Sequence, residues 1–452
     1  MSKRREDKKR RRAKRKQKQS KRKQVQAGER WAHLPGMPQD MPVSPPSFIP
    51  RPWPDAKVVI TGLGLITGLG DGAQACWESL QAGRSGLAAI RRFETEGHAA
   101  DRGGEAPPLS EGPSDPRDRA HAYLVRACTE AMRQSGRETF EASESAALIL
   151  GSSLAAQASA PRFWASLVEE GPEKAALEDL RCYDVELRLQ DLFRRFGCDG
   201  ESLLLSNACA AGASAIGMAA DLIRLGRARA ALVAGYDALD LHTHAGFGAI
   251  RALDPAGPRP FAPDRSGMLL GDGYAALVIE PEARARGAGR PILARFLGHG
   301  ESADAHHLTQ PDPQGLGAAL AMRRALSDAG LTPADVDAIN VHCTATPVND
   351  AAEVSAMRAV FGERLAQIPL CASKPSVGHT LGGAGAVETA IALLSLRHRE
   401  LPASLNTGAL DPALGDLDVV SEGRRERGLR VVMSNSFGFG GCNTSLVLGA
   451  DA

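Results

Sequence analysis

The chain has 452 residues, 43% of them apolar and 24% charged, with a formal net charge of +1. This balance excludes a collagen-like, wholly disordered or disulfide-scaffold chain, and no apolar run reaches the roughly 18 residues of a membrane span. The near-zero charge hides an asymmetry: residues 1–24 carry 15 Lys or Arg against two acids, which is +13, so the remaining chain is −12.

Residues 1–24 have nothing apolar to bury and many like charges, which predicts a disordered tail. Their charge suits an anionic partner: nucleic acid, anionic lipid or an acidic carrier protein. The tail lacks interleaved aromatics, which argues against a dedicated nucleic-acid binder. Eight prolines between residues 35 and 54 predict an extended, semi-stiff linker, its end pinned by Phe48 and Trp53. The N-terminus has no apolar core of a secretory signal, so a cytoplasmic location is expected. The folded body starts near Ala56, leaving residues 1–55 as tail and linker.

From there apolar runs alternate with helical patterns. Strands are predicted over Val58–Thr61, Ala147–Leu150, Ser202–Leu205, Ala230–Ala234, Ala275–Ile279, Ile292–Gly298, Ala338–Val341, Val431–Met433 and Thr444–Leu448. Helices are predicted over Asp118–Gln134, Ala210–Leu225, Gly315–Ala329, Asp350–Phe361 and Ala384–Arg397. This alternation indicates an α/β protein with buried sheets. A weak internal echo accompanies it. Cys209 opens a small-residue helix, and His379 precedes another; about 60 residues after each comes a Gly-rich turn and strand. A duplicated βαβ plan produces such spacing, and so does chance.

Eight cysteines occur without CxxC spacing, which fits free thiols rather than zinc or disulfides. Cys209 sits in LLLSNACAAGASAIG, where a strand ends and a helix begins at once. The helix dipole there favours a thiolate, so a lowered pKa is expected. A buried structural cysteine fits the same residues. His342, at a strand end, shares its loop with Thr344 and Thr346. His379 precedes a Gly-rich helix start, whose N–H groups favour a neutral imidazole. Lys374 and Glu388 suit a buried ion pair that fixes this loop. In NSFGFGGCN, Phe437 and Phe439 lie between glycines; a moving gate and plain core both fit.

Two competing chemistries are weaker. TGLGLITG (residues 61–68) mimics a dinucleotide-binding turn, but no acid closes a second strand at the right distance. His306, His307 and Asp304 could suggest a metal, yet adjacent histidines do not face one ion.

In order, VVITGLGLITGLG, SNACAAG, RPFAPDRSGMLLGDGYAALVIE, SADAHHLTQPDP, VHCTATPVNDAAE, SKPSVGHTLGGAGAVE and NSFGFGGCN resemble the β-ketoacyl-ACP synthases, most of all the type II elongating enzymes. The resemblance spans about Lys57 to Leu448. It implies a thiolase-like five-layer αβαβα fold of two similar halves, 56–290 with the cysteine and 291–450 with the histidine and lysine loops. It also implies a homodimer, or a heterodimer with a sister ketosynthase subunit. By resemblance, Cys209 takes an acyl group from an acyl carrier protein (ACP). His342 and His379 then bind the thioester of malonyl-ACP and stabilise the enolate formed on decarboxylation. The N–H groups of Cys209 and Phe437 would form the oxyanion hole, and Phe437 the acyl gate. Lys374 and Glu388 would support the histidines; Thr344, Thr346 and Phe439 would contact substrate. No separate cofactor is implied, because the phosphopantetheine arrives on the carrier protein.

Two histidines, rather than His and Asn, point away from the starter enzymes that use acyl-CoA. Cys442 lies where a small residue is usual and reads as structural, which argues against a thiolase. A catalytically silent, ACP-binding chain-length partner is the alternative function; the presence of Cys209 argues against it. Departures from the family pattern (SNACAAG, Cys343, Pro375 and a short segment between Ser153 and Cys209) leave the catalytic groups in place and point to a specialised acyl chain, polyene or polyketide.

Overall fold

A computed structural model describes residues 56–109, 119–154, 160–175, 184–425 and 428–451. The basic tail, the proline-rich linker with Phe48 and Trp53, and Cys182 lie outside the described residues.

Ten strands carry the fold: β1 (Val58–Thr67), β2 (Ala147–Gly151), β3 (Ser202–Leu205), β4 (Ala231–Asp237), β5 (Gly273–Pro281), β6 (Ala294–Ala303), β7 (Ala338–Asn340), β8 (Pro369–Cys371), β9 (Val431–Gly438) and β10 (Cys442–Gly449). They run in the order β3-β2-β4-β5-β1 and then β6-β10-β9-β7-β8, with the two-residue strand Asp418–Val419 beyond β8. Read from its outer edge inward, the second order repeats the first, with each strand number raised by five. The directions repeat as well. β2 is parallel to β3 and β4, as β7 is to β8 and β9. β5 is antiparallel to β4 and β1, as β10 is to β9 and β6. The echo in the sequence is therefore a structural duplication. Among the described residues the two half-sheets pair through the starts of β1 and β6, where Val58, Val59 and Ile60 pair with Phe296, Arg295 and Ala294.

The layers follow from where glycine and alanine lie. Helix α1 (Arg119–Gln134) covers the outer face of the first half-sheet, and α4 (Leu316–Asp328) and α5 (Pro347–Phe361) cover that of the second. Side chains at Gly62 and Gly64 would collide with the carbonyls of Ala131 and Ala127 on α1. Gly298 and Gly300 make the same room for α4. Thus TGLGLIT is a buried strand, with a register shift between Ile60 and Gly62, against which a helix packs closely, and β1 extends to Thr67 rather than ending at Thr61.

Between the half-sheets lie α2 (Ala211–Arg224) and α6 (Ala384–His398). Both are apolar nearly all round, as central helices must be. They approach so closely that a Cβ on Gly212 would sit 2.8 Å from the Ala386 nitrogen, and one on Gly385 would strike Ala213. The result is the αβαβα layering of the thiolase-like fold.

Other boundaries shifted modestly. β9 and β10 run longer than predicted because their pairing continues from Val431↔Gly449 to Gly438↔Cys442. α5 starts at Pro347, not Asp350, since proline suits the first helical position. All described residues belong to one compact unit, and no helix among them is long and apolar enough to cross a membrane.

Candidate active site

The two central helices begin alike. A short 3-10 turn, Ala208–Ala210, leads into α2, and another, Leu381–Gly383, leads into α6. Each starts on a non-glycine residue with left-handed backbone, Ala208 at φ 56° and Leu381 at φ 52°. We call these turns the two elbows. Cys209 stands on the first. His379 stands two residues before Leu381 on the second.

Cys209, His342, His379, Phe437, Phe439, Thr344 and Thr346 all line one cavity of about 210 Å³. The histidine rings meet edge to face at 5.5 Å, and Phe437 lies 5.9 Å from the His342 ring. The hydroxyls of Thr344 and Thr346 share a 2.8 Å hydrogen bond. The fold thus gathers loops far apart in sequence at the ends of β7, β9 and the two elbows.

The hydrogen bonds fix each histidine's tautomer. The Leu381 N–H donates to His379 Nδ1 at 3.1 Å. The proton of neutral His379 is therefore on Nε2. The Lys374 ammonium donates to the His342 carbonyl and lies 3.4 Å from His342 Nδ1. An ammonium has only donors, so Nδ1 is the acceptor and Nε2 again carries the proton. Burial holds both imidazoles well below their usual pKa, and the Lys374 charge adds to it. Both rings are neutral Nε2–H donors around pH 7.

Lys374 and Glu388 are buried and form an ion pair, with Ser373 Oγ donating to the same carboxylate at 3.3 Å. Burial raises Glu388, and the lysine partly offsets that. Neither charge would be tolerated alone at this depth.

One sequence expectation needs correction, that for the Cys209 thiol. Burial pushes it up to about 12, against the lowering effects of Lys374 and of the Phe439 N–H. The elbow encloses the sulfur among protein atoms, and desolvation of the thiolate outweighs the helix end. The aromatic loop meets the same thiol. The backbone N–H that lowers the Cys209 thiol is that of Phe439. Phe437 is still in β9, paired with Asn443. The chain leaves the sheet only after Gly438, and Gly440 and Gly441 at φ 80° and 74° make the bend. The half-buried Phe439 ring stacks at 5.8 Å on Phe247 of α3 (Leu241–Ala249), and both Phe437 and Phe439 reach the cavity wall.

Several residues at the site escaped the sequence reading. Glu353 accepts the N–H groups of His342 and Cys343 at 2.9 and 2.8 Å. Asp350 accepts those of Phe261 and Ala345 and the Cys343 thiol, at 3.1, 3.1 and 3.0 Å. Two acids three apart at a helix start, just after a loop histidine, were the available signal. His306 and His307 are exposed, with His307 Nδ1 accepting from Thr309 and Gln310. Among the described residues no three His, Cys, Asp or Glu converge as metal ligands.

Duplicated halves, a cysteine elbow and a facing histidine pair agree with the family matches. Residues 55–285 match the beta-ketoacyl synthase N-terminal domain and residues 293–408 its C-terminal domain. The chain belongs to the β-ketoacyl synthase family. This ketosynthase is 33% identical over 408 residues to 3-oxoacyl-[acyl-carrier-protein] synthase 2 of Vibrio cholerae serotype O1, covering 86% of this chain and 98% of the relative. Among solved structures it resembles the ishigamide ketosynthase/chain length factor, at TM-score 0.82 and 32% identity over 88% of this chain and 100% of the other. It also resembles a type II polyketide ketosynthase assembly bound to its acyl-carrier protein and a hexaketide, at TM-score 0.80 and 25% identity over 89% of this chain and 100% of the other. Membership places the protein among the thiolase-like condensing enzymes.

Proposed function

We propose that this ketosynthase is an active β-ketoacyl-ACP synthase that condenses an acyl group held on Cys209 with malonyl-ACP. The observation that carries the reading is one cavity holding a thiol and two neutral Nε2–H donors. In the first half-reaction the Cys209 sulfur attacks the thioester carbonyl of an acyl-ACP. The N–H groups of Cys209 and Phe439 receive the oxyanion. The pantetheine sulfur leaves with the proton that Cys209 loses, so charge balances. With its pKa raised by burial, the thiol stays protonated until a carbonyl sits in the hole. Splitting condensation through an acyl-enzyme replaces one hard step by two easier ones.

In the second half-reaction the malonyl thioester oxygen accepts from His342 Nε2–H and His379 Nε2–H. Carbon dioxide leaves, and its bonding electrons form an enolate at the two donors. The enolate carbon attacks the acyl carbonyl on Cys209. The tetrahedral oxyanion collapses and expels the Cys209 sulfur, which takes up one proton. Neutral donors suit this task, since an imidazolium would protonate the nascent carbanion. Burial keeps both rings neutral, and Lys374, held by Glu388, adds to that and fixes the His342 tautomer. Thr344 and Thr346 suit hydrogen bonding to the pantetheine arm.

The halves 56–290 and 291–450 divide the labour, the first supplying the nucleophile and the second the enolate donors. An ACP delivers both substrates, and a second subunit, identical or sister, completes the assembly; the solved ketosynthase/chain length factor and carrier-protein assemblies support this reading. A cytoplasmic setting fits the free cysteines. The likeness to polyketide assemblies and the altered nucleophile surroundings favour a specialised acyl chain.

Intact-protein mass after incubation with a panel of acyl-ACPs, followed by peptide mapping, tests this directly. An acyl adduct on Cys209 that disappears with malonyl-ACP, leaving a β-ketoacyl-ACP, is the expected result. A folded, assembled protein that takes no adduct, alone or with candidate sister subunits, favours the silent ACP-binding partner instead.

A further inference from the structure

The duplication relates the elbows residue by residue. Ala208, Cys209 and Ala210 correspond to Leu381, Gly382 and Gly383, and β4 corresponds to β9. The elbows are cross-held. At the first elbow, the loop after β9 brings the Phe439 N–H to Cys209. At the second, the end of β4 brings Asp237, whose Oδ2 accepts the Gly382 N–H at 2.7 Å. Gly382 is the duplicate of Cys209. The N–H that would face the substrate oxyanion at one elbow therefore faces a carboxylate at the other.

We propose that Asp237 fills the duplicate oxyanion site of the second elbow and is the positioning residue that holds His379 as an Nε2–H donor. This rests on the ketosynthase reading for its consequence in catalysis, and on geometry alone for its effect on the ring.

The geometry is specific. Asp237 is fully buried. Its Oδ1 accepts from Ser152 Oγ at 2.5 Å and the Leu154 N–H at 3.1 Å; its Oδ2 accepts from the Ser153 N–H at 2.9 Å and the Gly382 N–H at 2.7 Å. Four donors satisfy a carboxylate and no single one of them is a cation, which is the donor set of an anion hole rather than an ion pair. Burial pushes this carboxyl up to about 6, while Ser152 and the three N–H groups hold it down, so it is an anion at neutral pH. One residue before Gly382, Leu381 holds φ 52°, a left-handed conformation that a non-glycine residue keeps only where its surroundings hold it. That left-handed turn is what aims the Leu381 N–H at His379 Nδ1. No Cβ fits at Gly382, because Asp237 Oδ2 and the Ser153 backbone occupy its place. The carboxylate therefore fixes the strained turn, and the turn fixes the ring.

The test uses the full chain. Histidine ¹⁵N spectra, with His379 identified by its absence in His379→Ala, read which ring nitrogen carries the proton. The expected wild-type state is a bare Nδ1 and a protonated Nε2. Asp237→Asn puts an NH₂ against N–H groups; it is expected to populate the Nδ1–H form, to lower kcat for condensation about tenfold, and to leave loading of Cys209 within about twofold. Adding Leu381→Gly is expected to restore the ring signals, because glycine takes the left-handed turn without help. A merely structural Asp237 would not be rescued from residue 381. Unchanged ring signals in folded Asp237→Asn, or no recovery with Leu381→Gly, overturn the proposal. Where no condensation is found even in the wild type, the ketosynthase reading fails while the spectra still decide the role of Asp237. If Asp237→Asn does not fold, wild-type amide exchange decides: Ser153, Leu154, Leu381 and Gly382 exchanging slowly as one group supports the proposal, and fast exchange at Leu381 or Gly382 overturns it.

Discussion

The two elbows have the same backbone and opposite chemistry. Each is a 3-10 turn entered through a left-handed residue and followed by a buried helix of small residues. At the first elbow the second position is a cysteine facing an open cavity. At the second it is Gly382, too crowded for any side chain and bonded to a buried carboxylate. One elbow thus keeps room for a reacting carbonyl, and the other is closed and supports a neighbouring histidine. The difference teaches how a duplicated fold yields an asymmetric site: the scaffold repeats, and a few side chains decide which copy reacts and which copy positions.

Breaking the first elbow gives the largest effect. Cys209→Ala is expected to remove the acyl adduct and to lower condensation by about 10⁴-fold or more. Malonyl-ACP decarboxylation, read as carbon dioxide release, should persist because the second elbow is intact. Condensation surviving in Cys209→Ala would place the nucleophile elsewhere. The converse break is His379→Ala. Loss of one enolate donor should lower condensation and decarboxylation by about 10²- to 10³-fold, while Cys209 still loads in the mass assay.

Lys374→Met strips the partner from a buried carboxylate and should cost about 3–5 kcal/mol in denaturant unfolding. It also sharpens the electrostatic side of the comparison. The Lys374 charge lowers both histidines, so its removal raises them. The neutral donors are then lost at a higher pH, and the acid limb of the decarboxylation profile should move to higher pH. An acid limb that stays put would show that Lys374 does not set the protonation of the rings.

A smaller effect comes from the shared frame. Gly385→Ala drives a methyl into Ala213 where α2 and α6 cross, and should destabilise by about 1–3 kcal/mol in the same unfolding experiment. The mildest test is chemical. With the Cys209 thiol pushed up to about 12, iodoacetamide labelling should rise about tenfold per pH unit between pH 7 and 9, without a plateau. A plateau near neutrality would mean that the first elbow stabilises a thiolate at rest.

The sequence made much of this legible. The strand and helix alternation, the cysteine at a strand-to-helix turn and the histidines at loop starts are local patterns, and each carries its signal within a dozen residues. Lys374 and Glu388 were readable as a pair because both flank one histidine loop. TGLGLIT hid the second part of β1, because a glycine needed for helix packing and a glycine needed for a turn look the same in one dimension. Phe437 and Phe439 look alike in the sequence because two aromatics alternate with glycines, and only the end of the β9 pairing decides which one leaves the sheet. Asp237 was silent: one acid at the end of an apolar strand says nothing until the other half of the molecule arrives beside it.

By itself the sequence determined the αβ alternation and the loops that carry the cysteine and histidines, since these depend on periodicity and residue chemistry near each position. Tertiary structure alone decided the protonation of Cys209, the tautomers of His342 and His379, the N–H that meets the sulfur and the anion that closes the second elbow. Those depend on burial and on donors hundreds of residues away, which come within hydrogen-bond distance only when the two halves pack around α2 and α6.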